Sequence, residues 1–184
     1  SYKTRSKLKP QEPSGPFMEI YLLRHAIAEP RDPFSAQPDS RRRLTPEGAR
    51  KMRRIARGMK SLDLSFDAIV SSPFLRAKET AEIVAEVFAL KKALQFSSAL
   101  AAGAGLKGLV GQLKRLERTS ENVLLVGHEP DFGELISLLV AGDSSFSVTL
   151  KKGGLASLTV ETVRHGSCAT LEWLLTPSQL ASLR

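Results

Sequence analysis

A short apolar run that ends in two basic residues is the most constraining feature of this sequence. Residues 20–23 read Ile-Tyr-Leu-Leu, which is typical of a buried β-strand, and Arg24 and His25 follow directly. Open α/β sheets bind ligands outside the carboxyl ends of their strands. A guanidinium can bind a phosphate group while a neighbouring imidazole attacks its phosphorus atom. The alternative interpretation is a strand end that is merely polar. We therefore treat Arg24 and His25 as candidate catalytic residues.

Length and composition limit the class of protein. The chain has 184 residues, of which 42% are hydrophobic and 25% charged, as expected for one globular domain with a sizeable core. No apolar run approaches the roughly 20 residues that span a membrane, and we recognise no signal peptide. The single Cys168 excludes an intrachain disulfide and suits a reducing compartment, so we expect a cytoplasmic protein without a membrane partner.

The numbers of cysteine, histidine and basic residues limit which cofactors and binding partners we expect. One cysteine and three dispersed histidines do not form a metal-site pattern, so we expect neither a metal nor another cofactor. The net charge of +8 favours anionic partners such as phosphorylated substrates. No recognition helix, zinc finger or aromatic-interleaved basic motif accompanies this charge, and we do not expect nucleic-acid binding. We expect the protein to be a monomer.

The chain divides into one domain with a short segment at each end. Residues 1–17 are basic, contain three prolines and have few apolar side chains, which predicts a flexible N-terminal tail. Residues 18–176 form the domain, and residues 177–184 predict a C-terminal helix or tail. The alternation of strand and helix patterns in the domain predicts an α/β three-layer sandwich. Its central sheet would be mostly parallel, with an antiparallel edge strand and helices on both faces.

Periodicity places the elements of this domain. Thr45 predicts a helix N-cap, Pro46 follows at the first helical position, and apolar residues recur at helical spacing as far as Met59. The other predicted elements are strands at 18–23, 66–70, 93–97, 122–126, 155–163 and 170–175, and helices at 74–90, 108–116 and 131–140. Residues 26–43 predict a flap over the mouth of a pocket. The three arginines that end this flap either face phosphate or an acidic partner, or are simply solvated.

Two further residues share the position of Arg24 and His25 at the end of a predicted strand. Arg76 follows the second strand, in the first turn of a helix, and His128 follows the fourth. The carboxyl ends of parallel strands lie at one edge of a sheet, so both are expected to meet Arg24 and His25 there. Two guanidiniums and two imidazoles suit phosphoryl transfer, in which a neutral imidazole attacks phosphorus and fixed cations stabilise the equatorial oxygens. His165, in a predicted turn, is not expected to take part.

The chain resembles the histidine phosphatase superfamily, also called the phosphoglycerate-mutase-like fold, in three segments that occur in the family's order. These segments are Leu23–Ala26, Ser71–Ala81 and Val126–Pro130. The resemblance covers about residues 19–175. The short length, the segment Arg42–Gly48, the Ser-Pro-Phe-Leu-Arg-Ala block and the lack of a large inserted cap make it closest to the small SixA-type phosphohistidine phosphatases.

The resemblance implies a role for each matched residue. His25 would be the nucleophile that becomes phosphorylated, and Arg24 and Arg76 would bind the phosphoryl oxygens. His128 would donate a hydrogen bond to the same oxygens, and Arg42 is a candidate for the pocket rim. The reaction would need no metal and would release inorganic phosphate. The implied partner is a phosphorylated protein, such as a histidine-containing phosphotransfer domain of a signalling relay.

Two departures from the superfamily pattern bear on the substrate. Ala26 stands where members usually have glycine, and its methyl group could tighten the pocket. Many members also place an acid after the third strand to protonate an alkoxide leaving group, whereas residues 95–114 contain no Asp or Glu. Phosphohistidine needs no such acid, because its departing group is a neutral imidazole. Glu29, Glu129 and Asp131 remain candidate acids.

Three functions stay open on the sequence alone. The leading hypothesis is a metal-independent phosphatase that acts on protein phosphohistidine. The second is a phosphatase of small phosphoesters or phosphoanhydrides that uses Glu129 or a loop carboxylate as its acid. The third is a non-catalytic module that binds phosphate or phosphoproteins, which Ala26 and the missing acid would allow.

Overall fold

A six-stranded sheet between two layers of helices forms the fold in the computed structural model, which describes residues 17–183. The strands, in chain order, are β1 (Met18–Arg24), β2 (Ala68–Ser71), β3 (Leu94–Phe96), β4 (Asn122–Gly127), β5 (Leu155–Val160) and β6 (Ala169–Leu175). The helices are α1 (Pro46–Lys60), α2 (Leu75–Val87), α3 (Leu106–Leu116), α4 (Asp131–Ala141) and α5 (Pro177–Ser182). All of the predicted N-terminal tail except Phe17 lies outside the described residues.

β1 lies inside the sheet, with β4 parallel to it on one side and β5 antiparallel on the other. The strand order is β3-β2-β4-β1-β5-β6, and β3, β2, β4 and β1 all run in one direction. β5 and β6 form an antiparallel pair at one edge. The predicted mostly parallel sheet with antiparallel pairing at an edge is therefore confirmed, and the strand that reverses direction is β5.

Alternating side chains of the central strands divide the apolar core into two halves. Ile20 and Leu22 pack with α3 and α4 on one face of the sheet, and Tyr21 and Leu23 pack with α1, α2 and α5 on the other. Strands that are covered on both faces are apolar at nearly every position, which is the pattern of β1. Burial of these side chains is the main stabilising contribution to the fold. The predicted three-layer sandwich is confirmed.

The connections that follow β1 and β4 leave the sheet on opposite faces. β1 leads to α1 on one face, whereas β4 leads to α4 on the other. Because β1 and β4 are neighbours, their carboxyl ends open a crevice of the kind in which α/β sheets bind ligands. The strand pairing extends to this crevice, since the His25 N–H donates to the Gly127 oxygen at 3.0 Å and the Ser72 N–H donates to the Val126 oxygen at 2.9 Å.

Helix α1 begins at a side-chain cap and packs closely against α5. α1 begins as predicted, because the Thr45 hydroxyl accepts the Gly48 N–H at 2.9 Å. α5 packs on α1 through the buried Leu180. A Cβ on Gly58 of α1 would lie only 1.8 Å from the Leu180 oxygen, so this contact requires glycine. None of the helices between residues 17 and 183 has the length and apolar character needed to cross a membrane.

Four element boundaries differ from the predicted ones by two residues or more: α3 begins two residues early, and the other three have a local reason. β2 begins two residues late, because the Asp67 carboxylate accepts the N–H groups of residues 121 and 122 and turns the chain. α2 ends three residues early, near Ala89, which has the left-handed φ of +58°. β5 also ends three residues early, since the Val163 N–H donates to the Glu117 carboxylate at 2.6 Å instead of to a strand.

Candidate active site

The four residues that end the predicted strands lie together at the crevice. Arg24 ends β1, His25 follows it, Arg76 is the second residue of α2, and His128 follows β4. The imidazole centroids of His25 and His128 are 5.2 Å apart, and Arg76 Nε lies 3.2 Å from His25 Nε2. Arg76 is 3% exposed, which excludes an ordinary solvated helix position for it. His165 lies in the exposed turn after β5, at the opposite end of the sheet.

The hydrogen bonds of His25 determine which ring nitrogen carries the proton. Nδ1 lies 2.7 Å from the backbone oxygen of Ala26, and a carbonyl oxygen only accepts, so Nδ1 is protonated. Nε2 accepts the Arg76 Nε–H. Burial is the main cause that lowers the pKa of His25 to about 3, and the nearby His128 and Arg76 act in the same direction. The imidazole is therefore neutral near pH 7, and its Nε2 lone pair can attack phosphorus once the Arg76 Nε–H turns from it to a phosphoryl oxygen.

Two buried polar atoms beside His25 lack a hydrogen-bond partner. Arg24 Nε and His128 Nδ1 are the only buried side-chain nitrogen or oxygen atoms without a partner in the described range of residues 17–183. An unpaired buried polar group costs about 1–3 kcal/mol, so such atoms are rare in folded proteins. Their position indicates an anion site, because a ligand with several acceptor oxygens would supply the missing partners.

A backbone turn at residues 150–154 fixes the end of β1. The Arg24 guanidinium donates to the Leu150 oxygen at 2.9 Å, and the Gly153 N–H is shared between the oxygens of Arg24 and His25 at 3.0 and 3.2 Å. Gly153 has a φ of +79°, which favours glycine, and a Cβ there would lie 2.8 Å from Ile55. The sequence gives no sign of this contact, because it is made by backbone atoms of a loop distant in the chain.

Two consecutive residues of α2, Glu79 and Thr80, hold the segment that follows His25. The Thr80 hydroxyl donates to the Arg76 oxygen at 2.6 Å and accepts the Ala26 N–H at 3.1 Å. Glu79, the preceding residue, accepts the Leu44 N–H at 2.8 Å. Ala26 is 3% exposed and packs in the apolar core beneath α1 and α2. Its methyl group is therefore part of that core.

Asp39, which the sequence analysis missed, joins the flap to Arg76. Its carboxylate accepts hydrogen bonds from Arg76 Nη2 at 2.9 Å and from Arg42 Nε at 3.1 Å, and its backbone oxygen accepts Arg76 Nη1 at 2.9 Å. Burial alone would raise the pKa of Asp39, but the guanidiniums of Arg76 and Arg42 reverse this effect and lower it. Arg42, the predicted rim residue, therefore reaches the site through Asp39. An acid just before a run of arginines is the only signal that could have indicated this role.

The three consecutive arginines of the flap have three different environments. Arg41 is exposed, and Arg42 donates to the backbone oxygen of the exposed Glu29 at 2.9 Å as well as to Asp39. Arg43 pairs with Glu79 of α2 at 2.7 Å. The interpretation of a solvated run fits Arg41, whereas a contact of these arginines with phosphate or an acidic partner stays a prediction.

Two candidate acids follow His128, and their environments differ. Asp131 is buried, and its carboxylate accepts the Gly103 N–H at 2.9 Å in the loop after β3. Glu129 is half-buried and accepts the Gly133 N–H at 3.1 Å. Burial raises the pKa of Glu129, and the positive charge of Arg24 offsets part of this rise. Glu129 is therefore the candidate whose surroundings favour holding a proton.

Sequence comparisons agree with this arrangement. The model of the histidine phosphatase superfamily (branch 1) matches residues 20–101. An uncharacterised protein of Picosynechococcus sp. is 35% identical over 142 residues, which cover 77% of this chain and 84% of that protein. The phosphohistidine phosphatase SixA of Escherichia coli is 29% identical over 165 residues, which cover 89% of this chain and 96% of SixA.

Solved structures show the same fold. A structure of the protein histidine phosphatase SixA complexed with tungstate has a TM-score of 0.76 at 26% identity and covers 89% of this chain and 99% of that one. A phosphoserine phosphatase mutant of Entamoeba histolytica, in complex with phosphoserine, has a TM-score of 0.65 at 17% identity, a likeness of fold alone that covers 89% and 99% of the two chains. Homology to SixA supports a histidine phosphatase-type activity. The chain belongs to the histidine phosphatase superfamily.

Proposed function

We propose that the protein is a phosphatase that hydrolyses protein phosphohistidine through a phosphorylated His25. The observation that carries this proposal is the juxtaposition of a neutral nucleophile and unused polar atoms. His25 Nε2 holds a lone pair, and the unpartnered Arg24 Nε and His128 Nδ1 lie beside it in the crevice. A phosphoryl group is the ligand that would use all of them at once.

The proposed reaction has two displacement steps at phosphorus. His25 Nε2 first forms a bond to phosphorus while the bond from phosphorus to the substrate imidazole breaks, and that imidazole leaves neutral if its other nitrogen is protonated. Water then attacks phosphorus and keeps both hydrogens, so dihydrogenphosphate is released and His25 becomes neutral imidazole again. Throughout, His25 Nδ1–H stays bonded to the Ala26 oxygen, which stabilises the positive charge on the phosphorylated ring.

The leaving group is the reason to prefer phosphohistidine to a phosphoester. An alkoxide needs a proton from a general acid, which typically contributes 10²–10⁴-fold in rate. The segment 95–114 has no acidic residue, and Asp39 and Asp131 are committed to hydrogen bonds with Arg76 and Gly103. A protonated phosphoramidate leaves without this help. Similarity to the E. coli phosphohistidine phosphatase SixA over 89% of the chain supports the same choice.

The proposed partner is a phosphorylated protein, such as a histidine-containing phosphotransfer domain, and the proposed reaction is independent of metal. The guanidiniums of Arg24 and Arg76 would provide the positive charge that a metal provides in other phosphatases. In the described part of the chain, no inserted domain covers the crevice between β1 and β4. A phosphorylated side chain on the surface of a protein could therefore reach His25.

Substrate competition tests the proposal. Phosphate release would be measured from a phosphohistidine protein and from a phosphoserine peptide, with and without EDTA. We expect release mainly from phosphohistidine, no effect of EDTA, no turnover by His25→Ala, and unchanged turnover by His165→Ala, since His165 lies at the other end of the sheet. Equal turnover of the two substrates, or loss of activity in EDTA, would contradict the proposal.

Glu129 supports a second candidate, a phosphatase of small phosphoesters. Its half-buried carboxyl has a raised pKa and follows His128 directly, so it could protonate an alkoxide. In that case Glu129→Gln would slow hydrolysis of phosphoserine, whose alkoxide needs a proton, by about 10²-fold or more. Under the leading proposal, the same substitution leaves phosphohistidine turnover close to wild type.

A further inference from the structure

Ser72 lies behind the second histidine of the site. It follows β2 directly, is completely buried, and places its hydroxyl oxygen 2.7 Å from His128 Nε2. The same oxygen accepts the Phe74 N–H at 3.2 Å. The opposite ring nitrogen, His128 Nδ1, is one of the two buried polar atoms without a partner among residues 17–183.

Counting donors and acceptors decides the direction of this hydrogen bond. A serine hydroxyl has one hydrogen and two lone pairs, and the Phe74 N–H uses one of the lone pairs. Within the described residues, His128 Nε2 is the only acceptor within reach of the Ser72 hydrogen. If Nε2 instead donated to Ser72, the hydroxyl hydrogen would be buried without an acceptor, an arrangement that proteins avoid. Ser72 is therefore the donor and Nε2 the acceptor.

We infer that Ser72 is a positioning residue that keeps the proton of His128 on Nδ1, where it can be donated to the phosphoryl group. A neutral imidazole that accepts through Nε2 carries its hydrogen on Nδ1. Nδ1 then offers a donor to an oxyanion, whereas the other tautomer would offer a lone pair and repel it. The consequence for catalysis rests on the proposed function, but the tautomer itself does not.

The two imidazoles then share one tautomer and perform opposite tasks. His25 binds a backbone oxygen through Nδ1–H and presents the lone pair of Nε2. His128 accepts the Ser72 hydroxyl at Nε2 and presents the hydrogen of Nδ1. One ring attacks phosphorus, and the other stabilises the charge that develops on the phosphoryl oxygens. Because the two rings are held by different hydrogen-bond partners, they can perform these two tasks in the same protonation state.

Nitrogen NMR on histidine-labelled protein tests the inference without reference to activity. The signals of His128 would be assigned by their loss in His128→Gln. We expect wild type to show His128 Nε2 as an unprotonated, acceptor-type nitrogen and Nδ1 as a protonated one. In Ser72→Ala, this pattern should change to a mixture of tautomers or to Nε2–H. A protonated Nε2 in wild type, or an unchanged pattern in Ser72→Ala, would overturn the inference.

Kinetics supply the second readout, with Ser71→Ala as the matched control. Ser71 is equally buried, but its hydroxyl donates to the backbone oxygen of Ser72 and not to a histidine. We expect Ser72→Ala to slow phosphoryl transfer from phosphoramidate by about 10- to 100-fold, the size of loss that follows removal of the partner that orients a metal-binding histidine. Ser71→Ala should retain the wild-type rate and tautomer. Equal rates in wild type and Ser72→Ala would count against Ser72, whereas no transfer by wild type would overturn the proposed function instead.

Discussion

Arg76 contacts both His25, the proposed nucleophile, and the flap. Its Nε–H donates to His25 Nε2, while Nη1 and Nη2 bind the backbone and carboxylate oxygens of Asp39. The planar guanidinium makes these contacts simultaneously because its N–H groups point in fixed directions. Asp39 holds the guanidinium in place, so the Nε–H can pass from His25 Nε2 to a phosphoryl oxygen while the rest of the group stays fixed, which favours stabilisation of a transition state.

Replacement of Arg76 by lysine tests this geometry at unchanged charge. A single ammonium cannot reach His25 and Asp39 in the same orientation, so Arg76→Lys should slow phosphoryl transfer from phosphoramidate by about 10²–10³-fold. Rapid-quench measurement of phosphoenzyme would give the rate. Arg57→Lys, on an exposed position of α1, is the control and should match wild type. A wild-type rate for Arg76→Lys would show that charge alone is sufficient.

Residues at the ends of strands were predictable, whereas the residues that orient them were not. Arg24, Arg76 and His128 each follow an apolar run, and parallel strands align their carboxyl ends, so the sequence pattern alone brings them near His25. The roles of Asp39 and of the Leu150 oxygen depend on how two loops fold back onto the sheet. No periodicity or spacing encodes such contacts.

Two elements hold the end of β1 that carries Arg24 and His25. α2 binds the segment after His25 through Thr80 and Glu79, and the turn at 150–154 binds Arg24 and His25 through backbone atoms. The helix cap at Thr45 and the strand pattern of β1 were readable from sequence, because local propensity and burial agree there. The long flap was readable only as a loop, since ion pairs with α2 determine its path.

Substitution of Gly153 by alanine tests the turn. Any non-glycine residue at its φ of +79° costs about 1–3 kcal/mol, and the added Cβ would also lie 2.8 Å from Ile55. Gly103→Ala is the matched control, because Gly103 has a φ of +77° but open space around a Cβ. In urea unfolding, we expect both variants to lose stability and Gly153→Ala to lose more.

Only Gly153→Ala should also slow phosphoenzyme formation, since Gly153 binds the backbone of Arg24 and His25. Equal stability losses combined with equal, wild-type rates would show that the turn does not position Arg24 and His25.

The whole molecule keeps two neutral histidines inside the crevice. Burial is the main cause that lowers the pKa of His25 to about 3 and that of His128 to about 4. In the unfolded chain, a histidine has a pKa of about 6.5. As the pH falls below about 6.5, the unfolded chain therefore binds protons that the folded protein does not, and the free energy of unfolding decreases.

The contribution of the two histidines to the pH dependence of stability can be separated from that of the carboxylates. Urea unfolding of wild type between about pH 7 and 5 should show stability falling with pH, because the lowered pKa values of both histidines lie below this window. The double variant His25→Gln/His128→Gln lacks the two groups and should show a shallower slope. Identical slopes would mean that the two imidazoles are protonated in the folded protein as readily as in the unfolded chain.

Phosphorylation of His25 is the central claim, and intact-protein mass spectrometry tests it most directly. Wild type, His25→Ala and His165→Ala would be exposed briefly to phosphoramidate and quenched at alkaline pH, because phosphohistidine is labile in acid. We predict one added phosphoryl group on wild type and His165→Ala, decaying with release of phosphate, and none on His25→Ala. A phosphoryl group on His25→Ala, or no adduct on a wild-type protein that binds tungstate, would contradict the proposed mechanism.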